Sequence, residues 1–255
     1  MQRQSGNRVP VQAVETTLGI LHLLQESERK ITEIADELDI AKSTAHSHLK
    51  TLEQSAYVVC EDNEYRLGYR CLNLGGHVQA SEPLYHAAKE EVNELAEETG
   101  ERCQVMAEQH GRGTYLYQAS GERAIQTDSH IGTRVYLHST AQGKAILAHL
   151  PTERVNEVIE RHGLPAKTDR TVTTKEELFA ELEQIREYGV SYDDGERIKG
   201  MRCVAAPICN EDAEAVGAIS ISGPVKRLKS EYYRETLPEI VSSTARTIEI
   251  KTMYS

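Results

Sequence analysis

The sequence predicts an α+β protein in two parts: a winged helix-turn-helix head, followed by a larger module in which strands and helices alternate. Three observations lead there. Residues 11–55 carry three apolar runs at helical spacing, with a tight break between the second and third. The stretch "YVVCEDNEYRLG" then reads as two short strands around a polar turn at Glu61 to Glu64. Beyond Gly100 the texture changes to alternating strand and helix patterns.

Taken in order, residues 11–26 place Val14, Leu18, Leu21 and Leu24 at helical spacing and predict the first helix. Thr32 is the expected cap of a short second helix with Ile31, Ile34, Ala35 and Leu38 on one side. "LDIA" turns the chain, and a third helix runs from about Lys42 to Ser55 with an apolar stripe at Ala41, Ala45, Leu49 and Leu52. "YRCLNLGGHVQASEPLYHAA" is a connector, weakened locally by Gly75 and Gly76, and Pro83 suits the first turn of the helix that follows to about residue 99. "RCQVMAEQH-GRG-TYLYQAS" is a hairpin with a glycine-bearing turn. Ser139 or Thr140 caps a helix over 140–149, Pro151 stops it, and another spans 152–162. "TTKEELFAELEQIREYG" carries the capping-box pair Thr174 and Glu177 and ends at Gly189. "CVAAPICN" and "AVGAISISG" are strands, and the tail from about Ser230 is helical. The expected division is a head at 1–68, a linker helix at 69–82 and the second module at 83–255.

Composition narrows the function. The 255 residues have 39% apolar and 27% charged content, as in a globular protein. No apolar run approaches the roughly 18 residues of a membrane span, and "MQRQSGNRVP" lacks a leader's apolar core, so a cytoplasmic location is expected. Five scattered cysteines without a Cys-x-x-Cys pair, and ten histidines without ligand spacing, predict reduced thiols and no metal site. No cofactor is expected. The net charge of −11 argues against sequence-independent polyanion binding. It also suits a salt-rich cytoplasm, so a halophilic source is one expectation and ordinary acidic solubility the other.

The third helix sets a paradox against that acidity. Residues advance about 100° each, so with the apolar stripe inward the opposite side presents Ser43, His46, Ser47 and Lys50, with Lys42, Thr44 and Thr51 at its borders. Hydroxyls, an imidazole and lysines reach base edges or phosphates from a major-groove helix. The bland alternative is a solvated face, and His48 falls nearer the packing stripe. Residues 1–70 hold 8 Lys/Arg against 11 Asp/Glu, yet 41–55 hold Lys42 and Lys50 against Glu53 alone. Binding is therefore expected to rely on shape and base contacts more than on counterion release.

The motifs "ITEIADELDIAKSTAHSHLKTL" and "YRLGYRCLNLG", and the series Gly189, Asp193, Glu196, Cys203, Val204, Ala205, Ile208 and Asn210, resemble the IclR family of transcriptional regulators over essentially the full chain. Cys209 departs from that pattern, where an aromatic residue or histidine is usual, and "AQ" at Ala141–Gln142 replaces a commoner small-residue pair. The resemblance implies a GAF-like α/β effector-binding domain behind the winged head. It further implies a small-molecule effector, often a carboxylate, and a homodimer or homotetramer on a palindromic double-stranded operator. Family pocket positions carry over to the backbone of Ala141 and Gln142 and to the side chains of Asp193, Cys203, Ser220 and Ser222.

Those residues also make chemical sense. Free N–H groups in a helix's first turn, at Ala141 and Gln142, favour an anion. Ser220 and Ser222, two apart, project from one strand face, and Asp193 can accept from a ligand hydroxyl. The plainer readings stay open: Cys203 as a small core residue, the serines as satisfied strand hydroxyls, Asp193 as a turn residue in "YDDG". An enzyme is the rival class. "TAQGKA" lacks the glycine and Ser/Thr of a phosphate loop, and Cys203 has no histidine in a partnering position. No catalytic residue is therefore assigned. The expected function is control of a catabolic operon by a small metabolite, with sugar or pentose degradation the first guess and amino-acid or aromatic-acid catabolism the alternative. Activator and repressor remain equally open, and the linker helix with Leu72, Leu74 and Val78 is the candidate oligomer surface.

Overall fold

The structure is a computed structural model that describes residues 11–253. The opening stretch at 1–10, searched above for a leader, lies outside them. The chain divides into two compact units between Val78 and Gln79.

In the first unit the elements are α1 (Gln12–Glu26), β1 (Arg29–Lys30), α2 (Ile31–Glu37), α3 (Lys42–Gln54), β2 (Val58–Glu61) and β3 (Glu64–Leu67). One core of Ile20, Leu24, Ile34, Ala35, Ala45, Leu49, Leu52 and Val58 holds them together. Between α2 and α3 the chain passes through Asp39 at φ 52, a left-handed position that a short polar side chain tolerates. The wing closes on Asp62 and Asn63, both left-handed, in a two-residue turn whose twist suits a hairpin. It sets Glu61 opposite Glu64.

Several sequence expectations shift here. On α1, Val14 and Leu18 are exposed, while Ile20 and Leu24 are buried; the helix carries more apolar surface than the head can cover. Thr32 is not a cap. Lys30 occupies that position, Thr32 lies in the first turn, and the Glu33 carboxylate accepts the Lys30 N–H at 2.6 Å. The displacement follows from β1, a two-residue strand formed by pairing with β3 rather than by propensity. Ala41 is the exposed N-cap of α3, so the buried stripe begins at Ala45.

A helix α4 (Arg70–Ala80) follows without interruption at Gly75 and Gly76. Among its residues none is buried, and Leu72, Leu74 and Val78 are exposed.

The second unit continues with α5 (Pro83–Thr99), β4 (Arg102–Gln109), β5 (Arg112–Ser120), β6 (Arg134–Tyr136), α6 (Ala141–Ala148), α7 (Thr152–His162), α8 (Lys175–Tyr188), β7 (Ser191–Asp194), β8 (Met201–Cys209), β9 (Ala215–Pro224) and α9 (Leu237–Met253). The six strands form one antiparallel sheet in the order β6-β5-β4-β9-β8-β7. Alternation along the strands gives it two inner faces. Cys103, Val105, Val204, Ile219 and Ile221 pack with residues of α5 and α9. Met106, Ala205 and Ala218 pack with residues of α6, α7 and α8. This helix–sheet–helix arrangement is the GAF-like form that the resemblance implied. β6 and β7 are additions to the strands read from sequence, and Asp193 stands on β7 opposite Cys203 rather than in a turn.

α6 is held tightly. Thr140 Oγ1 accepts the Gly143 N–H at 3.0 Å as N-cap. Every residue from Ala141 to Ala148 is buried. Gly143 lies so close to Leu137 that a Cβ there would overlap the Leu137 backbone.

Candidate DNA interface and effector cavity

The exposed polar face of α3 follows from its burial. With Ala45, Leu49 and Leu52 in the core, Lys42, Ser43, Thr44, His46, Ser47, Lys50 and Thr51 are all exposed. Ser47 Oγ donates to Ser43 O and Thr51 Oγ1 to Ser47 O, each at 3.0 Å, so both hydroxyls keep oxygen lone pairs for an outside donor. Ser47 and Thr51 also border a depression with Thr17 and His48, which places them toward the α1 side of the face. Lys50 meets Glu53 at 3.3 Å in an exposed pair, too weak to hold the ammonium away from a phosphate. His48 is tied inward, its Nδ1 2.8 Å from Thr17 Oγ1. It fixes α3 against α1.

In the second unit the structure gathers Ala141, Gln142, Asp193, Cys203 and Ser222 around one cavity of about 40 Å³. The amino end of α6 supplies the first two, β7 the third, β8 and β9 the others. Ser222 Oγ donates to Arg102 O at 3.3 Å. Ser220, sharing that strand face, is fully buried and does not line the cavity. Its hydroxyl has no conventional hydrogen bond, and the Cys203 thiol is the group beside it. The Gln142 side chain donates to Gln104 O at 2.9 Å and Ala218 O at 3.4 Å, so α6 is bonded to two adjacent central strands.

The electrostatics depend on residues the sequence reading passed over. Arg102, Tyr115, Gln104, Thr127, Ser129, Arg197 and Arg202 complete the lining or its immediate support. Arg102 is buried; its Nη1 donates to Thr127 Oγ1 at 2.6 Å, Ser129 Oγ at 3.2 Å and Ser129 O at 3.3 Å. Burial holds its pKa below the usual arginine value. Arg197 meets Asp128 at 2.8 Å and Arg202 grips Asp194. Asp193 Oδ1 accepts the Glu196 N–H at 2.6 Å, yet burial still pushes its carboxyl up to about 6. Burial and the nearby Asp193 charge push the Cys203 thiol far up, which removes it as a nucleophile. Alternation gave one usable signal: Arg102 and Gln104 must share the sheet face of Met106.

Behind the cavity, Lys144 of α6 lies fully buried with its ammonium 2.6 Å from both Glu181 and Glu196. No cluster of potential metal ligands occurs among the described residues. Among the described residues no helix is long and apolar enough to cross a membrane.

A DNA-reading head joined to an antiparallel GAF-like module with a polar internal cavity defines a ligand-responsive transcription regulator. Comparisons with known proteins give the family. The family model described as "Bacterial transcriptional regulator IclR C-terminal" matches residues 76–250, and the helix-turn-helix model of the "Bacterial regulatory protein, arsR family" matches 15–58. The chain is 33% identical over 245 residues to "HTH-type transcriptional regulator XynR" of Escherichia coli strain K12, covering 93% of this chain and 97% of that protein. It is 29% identical to "Probable HTH-type transcriptional regulator ArcR" of Halobacterium salinarum, covering 98% of each. The crystal structure of the Thermotoga maritima IclR superposes with a TM-score of 0.78 at 28% identity, covering 94% of this chain and 98% of that one. The chain belongs to the IclR family of transcriptional regulators, and these relatives are regulators rather than enzymes.

Proposed function

We propose that this regulator controls a catabolic operon in response to a small carboxylate, with a sugar-acid intermediate of pentose or related degradation as the first candidate. The carrying observation is the cavity itself. Ala141 and Gln142 in the first turn of α6 line it, where a helix leaves N–H groups without intrahelical partners, Ser222 and Asp193 line it as partners for a ligand hydroxyl, and no acid other than Asp193 does so. Lys42, Ser43, Thr44, His46, Ser47, Lys50 and Thr51 read duplex DNA at a palindromic operator. The protein acts in the cytoplasm as a homodimer or homotetramer, and the exposed apolar residues of α4 (Leu72, Leu74 and Val78) support that assembly.

Footprinting on the promoter next to the coding sequence, with candidate acids added singly, tests the reading. A protected palindrome that one acid shifts is the expected result. The double variant Ser47→Ala, Lys50→Ala should lose about 10- to 100-fold in operator affinity with its fold intact, since both residues are exposed. A purified oligomer that prefers no duplex over random competitor, with any ligand, refutes the proposal.

A further inference from the structure

A second group of cations lies beside the effector cavity, against the trend of a chain whose net charge is −11. Arg112, Arg134, Lys167 and Arg197 line a cleft of about 210 Å³ around Tyr136, with Asp128 the one acid among them. Arg197 and Asp128 pair at 2.8 Å, and their charges cancel. The other three cations have no carboxylate within ion-pair distance among the described residues. The cleft is left with three unmatched positive charges.

The sheet brings these charges together. β5 and β6 pair with Arg112 opposite Tyr136 and Thr114 opposite Arg134, so Arg112, Arg134 and the Tyr136 ring share one face. The Arg112 guanidinium lies 3.6 Å from the Tyr136 ring centroid, and the Lys167 ammonium 4.9 Å from it. A ring's quadrupole orients a cation without cancelling its charge. The Arg112 side chain makes no hydrogen bond or ion pair among the described residues, and its buried Nε is unpartnered. Like charges gathered on neighbouring strands repel, and an anion seated among them relieves that repulsion. The field reaches the interior. His138, its ring 5.7 Å from that of Tyr136, is held below the usual histidine value by burial first and then by the charges of Lys144, Arg112 and Lys167.

We propose that this cleft is a second ligand site, separate from the effector cavity, and that it receives the phosphoryl group of a small phosphate ester. Such a group carries about −1.5 to −2 charge at pH 7 and presents three acceptor oxygens, which suit two guanidinium forks and an ammonium. A lone carboxylate would answer one charge of the three. The room suffices, since 210 Å³ corresponds to roughly 14 to 20 waters at about 10–15 Å³ each. A duplex backbone presents singly charged phosphates along a convex rail, a poorer match to a small concave cleft. The site stands independently of the carboxylate reading of the effector cavity, with which it shares only Arg197 as a lining residue.

The test is calorimetric titration of the full-length protein with glycerol 3-phosphate and glucose 6-phosphate, each against its unphosphorylated alcohol. At least one ester should bind with a millimolar or tighter Kd while its partner does not, and added salt should weaken it. Arg134→Gln combined with Lys167→Gln removes two exposed charges. The melt should stay with the parent's while the ester's Kd rises about tenfold or more. If the double variant fails to fold, Arg134→Gln alone should raise the Kd several-fold. Failure of both esters to bind overturns the proposal, as does binding that these variants leave unchanged. Ester binding lost in Ser222→Ala but kept in the double variant would place the phosphate in the effector cavity and overturn it too. A double variant that loses operator affinity with no ester present would assign the cations to the duplex, and the proposal would fall.

Discussion

Replacing Lys144 by methionine should destabilise the second unit steeply at alkaline pH and only slightly in mild acid. The Lys144 side chain is 2% exposed and its ammonium lies 2.6 Å from Glu181 and from Glu196. Glu181, 38% exposed, can turn to water when the ammonium is gone. Glu196, 10% exposed and with Oε2 already unpartnered, cannot. Removing one partner of such a buried pair costs about 3–5 kcal/mol.

An independent limit comes from proton uptake. Burial already pushes Glu196 up to about 7 from 4.5 against the pull of Lys144, and without Lys144 it must rise further. The variant can escape by keeping a proton, at about 1.4 kcal/mol for each pH unit above 4.5. The parent already bears that cost up to about 7, so the extra penalty in the variant is capped at about 1.4 kcal/mol at pH 8 and is close to zero at pH 5. The direction follows from linkage. A carboxyl raised in the folded state favours folding below its unfolded pKa and loses that contribution as pH climbs through the folded value. Thermal melts of parent and variant from pH 5 to 8 should diverge by about 3–6 °C at pH 8 for a unit of this size. Adding Glu196→Gln should recover most of the loss. A Lys144→Met melt that coincides with the parent at pH 8 would refute the reasoning, as would an equal deficit at pH 5.

Other perturbations address other levels of the structure. Leu49→Ala empties a fully buried site between α3 and the head core, and should cost the head about 2–5 kcal/mol, read as faster hydrogen exchange of the α3 amides. An unchanged exchange pattern would mean the core is wrongly drawn. Gly143→Ala drives a Cβ into the Leu137 backbone, and should displace α6 and weaken effector binding more than a solvent-facing helix glycine replacement, normally worth under about 1 kcal/mol. Asp193 loses its charge below about 6, so affinity for an anionic effector should rise as pH falls from 8 to 5.5, with Asp193→Asn flattening the profile. Glu196 titrates beside it, so calorimetry should also show proton uptake on binding at pH 7. A flat profile in the parent would remove Asp193 from the site.

The parts of the molecule that were legible in the sequence are those encoded locally. The α3 stripe at Ala45, Leu49 and Leu52, the Thr174 cap and the stretches of β8 and β9 carry their periodicity within a dozen residues. What escaped was settled by partners distant in sequence. Arg29–Lys30 is a strand because β3 lies beside it, and that moved the cap from Thr32 to Lys30. Val14 and Leu18 obey the helical spacing and still face solvent. In the cavity, Ala141, Gln142, Asp193, Cys203 and Ser222 were found through motif resemblance. Arg102 was missed because its isolation is a property of the folded sheet: Ser222 stands opposite it on β9, and Thr127 and Ser129 lie 25 and 27 positions away. Ser220 shows the limit of face arithmetic, since two hydroxyls on one side of a strand need not share a cavity.

Gln142 has a consequence for ligand choice. Its amide spans two sheet carbonyls, so it cannot swing aside to admit a bulkier guest without stranding both acceptors in a dry interior. A smaller residue at that position would leave more room and impose no such restraint. A ligand seated in this cavity is thus expected to be limited in size by a hydrogen-bonded strut, and a smaller residue at position 142 should widen the range of acids that shift the operator footprint.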